Sequence, residues 1–492
     1  MPIDFNVIPS GVKTPLFYVE FDNSMANTGE EKLKTLLIGQ MVDSGKATAY
    51  KPVLVSSDSK GKELFGRGSQ LARMNSLYRL NDAYGEVWAI PVADPSGGTK
   101  ASATIKVTGT ATASGTIYLY IGAELVRVDV ANKAVHTDIS ASIKDAINAR
   151  PDLPVTATDQ TGTVTVSATG KGAYGNDIKI EVNRYGVAQN EELPEGINVQ
   201  VSEMAGGNGT INLDKVITAM GDVGFEFIIT PFNEKADLDK FTLLMNDVSG
   251  RWSPTKQIYG HVFTTKRGDA EGLASFGKSF NDQHLTIIGV GKAHPNLSCE
   301  VLAAYAARCA TSAVNNPARP SHSQQLLGIS PYKLGEAFEG TELETLLSNG
   351  IATAVVGGGG LMTSRAVTTY QRNAYGDPDN SYIDSETLFT SARVVRELRR
   401  EVTSKLGRHS LVDDGEYYEP GQAITSPSEI KTILISAYNN MVKRGWVENA
   451  KWFAKNLTVE RSLVDKSRVN VLFPPDYVNQ LRIVAVKNQF RV

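Results

Sequence analysis

The sequence predicts an α/β protein (α+β overall), in which helix-covered sheets carry an inserted β-rich domain and extended N- and C-terminal arms. Three observations lead to this class. Short buried strands alternate with amphipathic helices over residues 26–94 and 206–349, which indicates a largely parallel sheet covered by helices. Residues 95–205 instead alternate apolar and polar positions between glycine turns. A chain of 492 residues is also too long for one core, so we expect two to four domains.

The composition is that of an ordinary globular protein. The hydrophobic fraction is 41% and the charged fraction is 21%, both typical of soluble domains. The formal net charge of −3 argues against general nucleic-acid binding, which usually shows as a basic domain. The N-terminus lacks the pattern of a secretory signal, and no apolar run reaches the roughly 20 residues that span a bilayer. We therefore expect a soluble chain made in a cytoplasm, without membrane insertion.

Two cysteines, Cys299 and Cys309, lie on one predicted helix. Their spacing separates them by about 15 Å along the helix axis, which is too far for a disulfide. We interpret both as buried free thiols.

The N-terminal arm covers residues 1–25. Three early prolines disfavour helix there. The strand-like segment that follows them has no nearby hairpin partner. It pairs either with a distant strand of its own chain or with another subunit. The residues of this arm are Phe17, Tyr18, Val19, Glu20 and Phe21.

The two halves of the α/β domain, residues 26–94 and 206–349, share one pattern. Short apolar runs mark buried strands, and apolar spacings of three and four mark helices. The first half is predicted to hold strands at 36–38, 53–55 and 86–92 and one helix at 62–84. The second half is predicted to hold strands FEFIITP, QIYGHVF and LTIIGVG between helices at 214–220, 237–249, 269–280 and 298–312.

The inserted domain, residues 95–205, is rich in Thr, Gly, Ala and Val. Gly and Asn turns separate its alternating strands, and a short helix at 139–149 interrupts them. We predict that this segment folds alone and lies on the outside of the assembly. Its predicted strands are TIKVTG, TIYLYIG, LVRVDV, TVTVSA, DIKIEV and INVQVS.

Residues 350–478 mix strands and helices, with an alternating segment at Arg365–Tyr370. A helix predicted over 385–407 carries one apolar stripe at spacings of three and four. Three arginines lie on another face of this helix. They are either solvated side chains paired by neighbouring glutamates or an inter-subunit ion-pair face. These arginines are Arg393, Arg396 and Arg400.

The sequence does not match the motifs that catalytic, phosphate-binding or metal-binding sites require. Four glycines at 357–360 follow a strand-like run, but a phosphate-binding loop would open a helix, and here another strand follows. The histidines lack the spacing HxxxH or HExxH, and neither a GxSxG elbow nor a calcium loop occurs. We therefore predict no catalytic residue, no cofactor and no metal site.

The C-terminal arm, residues 479–492, is predicted to be a strand. Apolar side chains occur on both of its faces, so the strand needs cover on both sides. A neighbour's sheet edge would supply that cover, with about six to eight ladder hydrogen bonds. The residues of this arm are Leu481, Ile483, Val484 and Val486.

Three segments carry a family resemblance. They are FNVIPSGVKTPLFYVEFDNS near the start, SRAVTTYQRNAYGDPDNSYIDSETLFTSARVVRELR in the last third, and VNVLFPPDYVNQLRIVAVKNQF near the end. Together they resemble the contractile tail sheath proteins of Mu-like bacteriophages, to which R-type pyocin and type VI secretion sheaths are related. The resemblance is specific in the N-terminal arm and the C-terminal third, and it leaves the β-rich insert aside.

The resemblance implies a structural subunit and not an enzyme. Sheath subunits polymerise as stacked hexameric rings around an inner tail tube, and they contract to drive the tube through the host envelope. The implied partners are further copies of the chain, the inner tail tube protein, and the baseplate and tail terminator proteins. The implied location is the virion tail, assembled in the bacterial cytoplasm. A basic cluster is then predicted to face the tube, formed by Lys443, Arg444, Lys451 and Lys455.

Two other functions stay open on the sequence. The β-rich insert is compatible with a carbohydrate- or receptor-binding phage tail protein, which glycan binding by the insert would show. A subtilisin-like hydrolase on the α/β core is a further alternative. It would need a Ser, a His and an acid in convergent positions, and an activity-based serine probe would detect it.

Overall fold

The computed structural model describes residues 33–416, 419 and 421–491, and these divide into two compact units. The first unit comprises residues 33–393 and 479–491, and the second comprises residues 394–478. The predicted N-terminal arm, with its residues Phe17–Phe21, lies outside the described residues.

Both units combine helices with strands, which confirms the α/β (α+β overall) class. In chain order the strands are β1 (Lys34–Gln40), β2 (Val53–Leu54), β3 (Glu86–Val92), β4 (Ser102–Gly109), β5 (Gly115–Ile121), β6 (Glu124–Val130), β7 (Val155–Gln160), β8 (Thr163–Ala168), β9 (Ile180–Val182), β10 (Ile197–Val201), β11 (Phe227–Ile229), β12 (His261–Gly268), β13 (Leu285–Gly291), β14 (Ile351–Gly357), β15 (Gly360–Arg365), β16 (Ser410–Leu411), β17 (Ile424–Thr425), β18 (Thr458–Arg461) and β19 (Val469–Leu472). The helices are α1 (Asp58–Phe65), α2 (Gln70–Asn81), α3 (His136–Asn148), α4 (Leu213–Met220), α5 (Lys235–Met245), α6 (Ala270–Gly277), α7 (Ser298–Asn315), α8 (Gly340–Leu347), α9 (Ser385–Leu406), α10 (Pro427–Lys443) and α11 (Ala450–Asn456).

An eight-stranded sheet forms the centre of the first unit, in the order β15-β14-β13-β12-β11-β1-β3-β2. Its inner strands pair in parallel, and β2 and β15 are antiparallel at the two edges. Neighbouring residues of β1, Leu37 and Ile38, belong to different hydrophobic clusters, because successive side chains point to opposite faces of a sheet. Both faces are therefore covered, and the predicted, largely parallel sheet is confirmed.

The single helix predicted over residues 62–84 is wrong. The chain forms α1 and α2 instead, separated by Gly66 and Gly68, whose φ angles of 83° and 74° favour glycine. Ser69 then starts α2, since its side chain accepts a hydrogen bond from the Ala72 amide.

The inserted segment forms two antiparallel sheets, β10-β4-β8-β7 and β6-β5-β9. The six predicted strands are present, although β9 is shorter than its pattern suggests. The sequence pattern did not reveal β7, which pairs with β8 along its whole length. The buried Val155 and Ala157 of β7 do alternate with threonines, but its run is short and less apolar than its neighbours. Pairing with β8 stabilises it as a strand.

One buried ionic cluster joins the insert to helices of the α/β domain. Arg73 on α2 donates from Nε to Oε1 of Glu300 on α7 at 2.5 Å. Its Nη1 also donates to the carbonyl of Asp152 at 2.7 Å and to Oε1 of Glu124 on β6 at 3.3 Å. Asp152 and Glu124 both belong to the insert, so Arg73 holds the insert against the two helices.

A second ionic cluster lies where β12 ends. Arg267 pairs with Asp177, which ends a short 3₁₀ turn of the insert. The other carboxylate oxygen of Asp177 accepts a hydrogen bond from the Ser298 amide, at the start of α7, at 2.5 Å. The insert therefore supplies a carboxylate to the N-terminus of a helix of the α/β domain.

The second unit has its own hydrophobic core. Val394 of α9, Leu434 and Tyr438 of α10, and Phe453 of α11 are buried in it. The rings of Tyr438 and Phe453 stack with their centroids 3.6 Å apart. The small sheets β16-β17 and β18-β19 belong to the same unit.

The glycines at 357–360 form the turn of the β14–β15 hairpin. Gly358 and Gly359, at the tip, have φ angles of 58° and 84°, as a tight hairpin turn requires. This confirms a glycine-rich turn between two strands. The alternating segment predicted at Arg365–Tyr370 is wrong as a strand, because β15 ends at Arg365.

Candidate assembly interfaces

The C-terminal arm presents apolar side chains to solvent. Residues 479–491 form neither helix nor strand, and every residue from Ile483 to Arg491 is exposed. Ile483 is 81% exposed and Val486 is 82% exposed, and Leu481, Val484 and Phe490 are similar. We therefore interpret this exposed apolar segment as a candidate interaction site.

The root of the arm contacts the first unit. Arg482 is mostly buried, and its Nη2 lies 3.2 Å from Oδ1 of Asp384 and 3.2 Å from Oε2 of Glu386. Nε2 of His322 lies 3.3 Å from the carbonyl oxygen of Leu481. Arg482 was not among the predicted arm residues. The only sequence signal for it is a lone cation within an apolar run.

The two acids beneath Arg482 are themselves held in place. Arg365 binds Asp384 with two hydrogen bonds, Nε to Oδ1 at 2.8 Å and Nη2 to Oδ2 at 3.0 Å. These hydrogen bonds are the main cause that raises the pKa of Arg365. Oε1 of Glu386 accepts from the Ser321 amide at 2.9 Å and from the Ser321 hydroxyl at 2.7 Å.

The arginine face of α9 is paired within the chain at Arg400. Its Nη2 donates to Oε1 of Glu397 at 2.6 Å and lies 3.9 Å from Oε1 of Glu401. Arg393 and Arg396 also take part in interactions and are not free. These contacts favour the solvated, glutamate-paired interpretation at Arg400, and an inter-subunit role for the face stays a prediction.

The predicted basic cluster lies at the end of α10 and on α11, and its four members are exposed. Lys451 and Lys455 are one turn apart on α11 and share a face. Arg444 lies over the Trp446 ring at 5.0 Å and 3.8 Å from Glu397, so it has structural contacts of its own. Trp446 is buried. Of the four predicted members, Lys451 and Lys455 therefore share one helix face, Lys443 ends α10, and Arg444 has contacts within its own unit.

The β18–β19 hairpin is a second exposed apolar element. Its two strands pair antiparallel from Thr458–Leu472 to Arg461–Val469, and its sheet has two strands among the residues described. Val471 and Leu472 are exposed, and so are Leu463 and Val464 in the connection. Both edges of such a sheet offer backbone groups for a further strand.

The part of the chain that the structure describes contains no group of three or more His, Cys, Asp or Glu residues that could hold a metal ion. His284 is buried against Asp247, with Nε2 3.0 Å from Oδ1. His294 is buried against the ring of Tyr332. Cys299 and Cys309 are buried free thiols on α7, as predicted. No helix within these residues is long and apolar enough to cross a membrane.

Comparison with known proteins defines the family. The phage tail sheath protein central domain matches residues 206–369, and the phage tail sheath C-terminal domain matches residues 377–491. The chain is 35% identical over 495 residues to the Mu-like prophage FluMu tail sheath protein of Haemophilus influenzae, covering 100% of both chains. The chain therefore belongs to the phage tail sheath protein family. It is a structural tail sheath protein of the Mu-like kind, as its sequence resemblance predicted.

Solved structures of sheath-related proteins are also similar. The sheath tail protein of Desulfitobacterium hafniense is 12% identical, with a TM-score of 0.48, covering 94% of this chain and 100% of that one. The sheath tail protein of Listeria innocua is 10% identical, with a TM-score of 0.48, covering 92% and 93%. A chain of the anti-feeding prophage baseplate is 10% identical, with a TM-score of 0.49, covering 98% and 100%.

Proposed function

We propose that this sheath protein polymerises as stacked hexameric rings around the inner tail tube and contracts to drive the tube through the host envelope. Family membership supports the sheath role. The observation that carries the polymer is the exposed apolar row of the C-terminal arm, from Leu481 to Phe490. We propose that a neighbouring subunit covers it.

Burial of the arm is energetically substantial. Each Val, Leu, Ile or Phe side chain that becomes fully buried contributes about 1.5–3 kcal/mol. Each ladder hydrogen bond adds about 1 kcal/mol net, and ordering each residue costs about 1–2 kcal/mol of backbone entropy. Backbone pairing alone therefore does not offset the ordering cost, and the apolar side chains must enter a covered site.

The β18–β19 hairpin of a neighbour is the acceptor that we propose for the arm. It is antiparallel and short, and an isolated two-stranded sheet is marginally stable. Added strands would cover the exposed Val471 and Leu472. The N-terminal arm residues Phe17–Phe21 would supply a second donated strand by the same β-augmentation.

Strand exchange also explains how a sheath moves without dissociating. Donated strands keep subunits joined by directional main-chain bonds while the folded bodies rotate. The remaining contacts, including the Arg393, Arg396 and Arg400 face, can then switch between two arrangements. The basic cluster of Lys443, Arg444, Lys451 and Lys455 would face the inner tube, and baseplate and terminator proteins would bound the polymer. No nucleotide is needed, because energy is stored during assembly.

Truncation of the arms tests this proposal. Deleting residues 479–492 is expected to leave a folded monomer that does not polymerise, and deleting residues 1–20 is expected to act likewise through the other donated strand. Sedimentation and negative-stain electron microscopy of the purified proteins report tubes or rings. Full-length tubes from either truncation would contradict strand exchange. Insoluble, unfolded protein would show that the deleted strand belongs to its own subunit's core.

Point variants provide a matched control for the truncation. Ile483→Ser with Val486→Ser keeps the arm length and removes two exposed apolar side chains, so polymerisation is expected to be lost or strongly weakened. Lys487→Ser with Asn488→Ser changes two polar residues of the same arm and is expected to assemble normally. Equal assembly of the two double variants would show that apolar burial does not drive arm binding.

A further inference from the structure

We propose that Arg482 is the anchor that ties the C-terminal arm to its own subunit, and that Asp384 and Glu386 form its receptor. The inference rests on the strand exchange proposed above. Arg482 would hold the root of the arm on its own subunit before a neighbour binds the rest of the arm. The backbone of residues 479–482 is then held at the donor subunit, with the Leu481 side chain still exposed for the neighbour, and residues 483–491 are the segment that moves to the neighbour.

Burial along the arm singles out this position. The side chain of Arg482 is 13% exposed, whereas Leu481 is 71% exposed and Ile483 is 81% exposed. In a solvated tail the opposite order is expected, since arginine is usually exposed and leucine and isoleucine are usually buried. Within residues 479–486, Arg482 is the one charged residue. Its side chain lies against the protein, whereas the neighbouring apolar side chains are exposed to solvent.

The receptor is a built acidic site. Asp384 and Glu386 flank the start of α9 and are themselves buried. Arg365 forms two hydrogen bonds with Asp384, and Ser321 donates two to Glu386. Residues other than Arg482 therefore hold both carboxylates in position. Without Arg482, one arginine would face two buried carboxylates. Arg482 brings the charge of the cluster to balance, which a buried site requires.

A fixed root changes how the arm reaches its acceptor. Fewer residues must be ordered when the neighbour binds, so the entropic cost of docking is smaller. A tether also keeps the donated segment at high effective concentration near the surface where it leaves the subunit. Beyond the anchor the segment is free to follow a neighbour as the subunits rotate.

The alternative is that Arg482 only neutralises a buried acid and has no effect on assembly. The double variant Glu386→Gln with Arg482→Gln separates the two roles. A glutamine at 386 can still accept from Ser321, and removing both charges leaves no unpaired glutamate. The exposed Arg408→Gln is the matched control for loss of an arginine.

The test measures the critical concentration for polymerisation of full-length protein by sedimentation, with a thermal melt to verify folding. We expect the double variant to fold like the wild type but to need a critical concentration raised roughly tenfold or more, because its arm root must be ordered on docking. We expect the Arg408→Gln variant to be unchanged. A double variant that polymerises at the wild-type concentration would overturn the anchor.

Limited trypsin digestion of the wild-type monomer tests the anchor without any substitution, because trypsin must bind the side chain of the residue it cleaves after. Cleavage after the exposed Lys487 is expected to be much faster than cleavage after Arg482, and equally fast cleavage at both positions would overturn the anchor even if the double variant fails to fold. Deleting residues 483–492 tests strand exchange separately. If that truncation polymerises normally, the proposed donation of the arm fails, whatever the anchor measurements show.

Discussion

His261 and His294 are buried in the first unit in their neutral form. Burial lowers the pKa of His261 well below its ordinary value and lowers the pKa of His294 to about 3. Below about pH 6.5 the unfolded chain takes up protons at these residues and the folded chain does not. The folded state is therefore destabilised as the pH falls from about 6.5 towards the folded pKa, and the effect is absent above pH 6.5.

Replacing His294 tests this pH dependence. In the wild type, each such histidine makes the free energy of unfolding fall by about 1.4 kcal/mol per pH unit on acidification below about pH 6.5. The apolar His294→Phe variant cannot titrate, so its slope is expected to be smaller by about that amount. Urea unfolding of the monomer at several values between pH 7.5 and 4.5 measures the slope. His409→Gln removes an exposed histidine as the control, and an unchanged slope in His294→Phe would contradict the assignment.

The α11 helix carries the clearest part of the basic cluster. Lys451 and Lys455 are exposed on one face, whereas Arg444 contacts Trp446 and Glu397 within its own unit. Charge reversal at Arg444 would disturb these contacts and confuse a test of tube binding. The two lysines of α11 are therefore the better positions for testing the proposed contact with the inner tube.

The double variant Lys451→Glu with Lys455→Glu is expected to fold normally and to impair assembly templated by the inner tube. Exposed charge pairs contribute only about 0–1 kcal/mol each, but the contact repeats in every subunit of a ring. Cosedimentation with preformed tubes measures the effect. The control Lys256→Glu reverses an exposed lysine of the first unit. Tube-templated assembly equal to wild type in the double variant would remove these lysines from the interface.

The link between the insert and α7 depends on Asp177. Its carboxylate pairs with Arg267 and caps the first amide of α7 through Ser298. Asp177→Ala would leave Arg267 mostly buried without its carboxylate partner and would remove a favourable charge from a helix N-terminus. We therefore expect the cluster at Asp177 to couple the stability of the insert to that of the α/β domain.

Asp177→Ala is expected to lower the free energy of unfolding of the first unit by about 2–4 kcal/mol. Asp145→Ala is the control, because Asp145 is exposed and pairs with Lys144 on the same helix. Loss of this surface ion pair is expected to lower the free energy of unfolding by about 1 kcal/mol or less. Chemical denaturation followed by circular dichroism gives both values. Similar small losses in the two variants would show that Asp177 does not couple the insert to α7.

In the whole molecule, the insert shares a hydrophobic cluster with the central sheet. The same cluster contains Leu37 of β1 and Val166 of β8. The insert also has two sheets and the helix α3 of its own. Its domain boundaries at 95 and 205, and its place on the outside of the assembly, stay predictions.

Expression of residues 95–205 alone tests the independence of the insert. We expect a cooperative β-type melt, because its sheets and α3 enclose buried residues of their own. The melting temperature is expected to lie below that of the insert within the full chain, since the contacts of Glu124 and Asp152 with Arg73 and of Asp177 with Arg267 are lost. Circular dichroism of the segment decides the matter, and a disordered segment would show that the boundary or the independence is wrong.

Local patterns in the sequence were enough to predict most elements. The helix over 385–407 follows from apolar spacings of three and four, the strands of the parallel sheet follow from short apolar runs, and those of the insert follow from alternation, all of which depend only on nearby positions. The family could also be predicted, because its resemblance lies in contiguous segments at both ends. The C-terminal arm has the same kind of local alternation, but residues 479–491 form no strand in the structure, so its pairing as a donated strand stays a prediction.

Contacts between residues far apart in the chain could not be predicted in this way. The spacing of apolar residues predicts neither the glycine break between α1 and α2 nor the pairing of β7 with β8. Both depend on how the surrounding structure packs. The ion pairs of Arg482 depend on Asp384 and Glu386, more than 90 residues earlier in the chain, and the first amide of α7 is bonded by Asp177 of the insert. A sequence pattern records the polarity and spacing of neighbours along the chain. Which charges meet is set by the folded chain, because burial makes an unpaired charge costly and only packing brings its partner within reach.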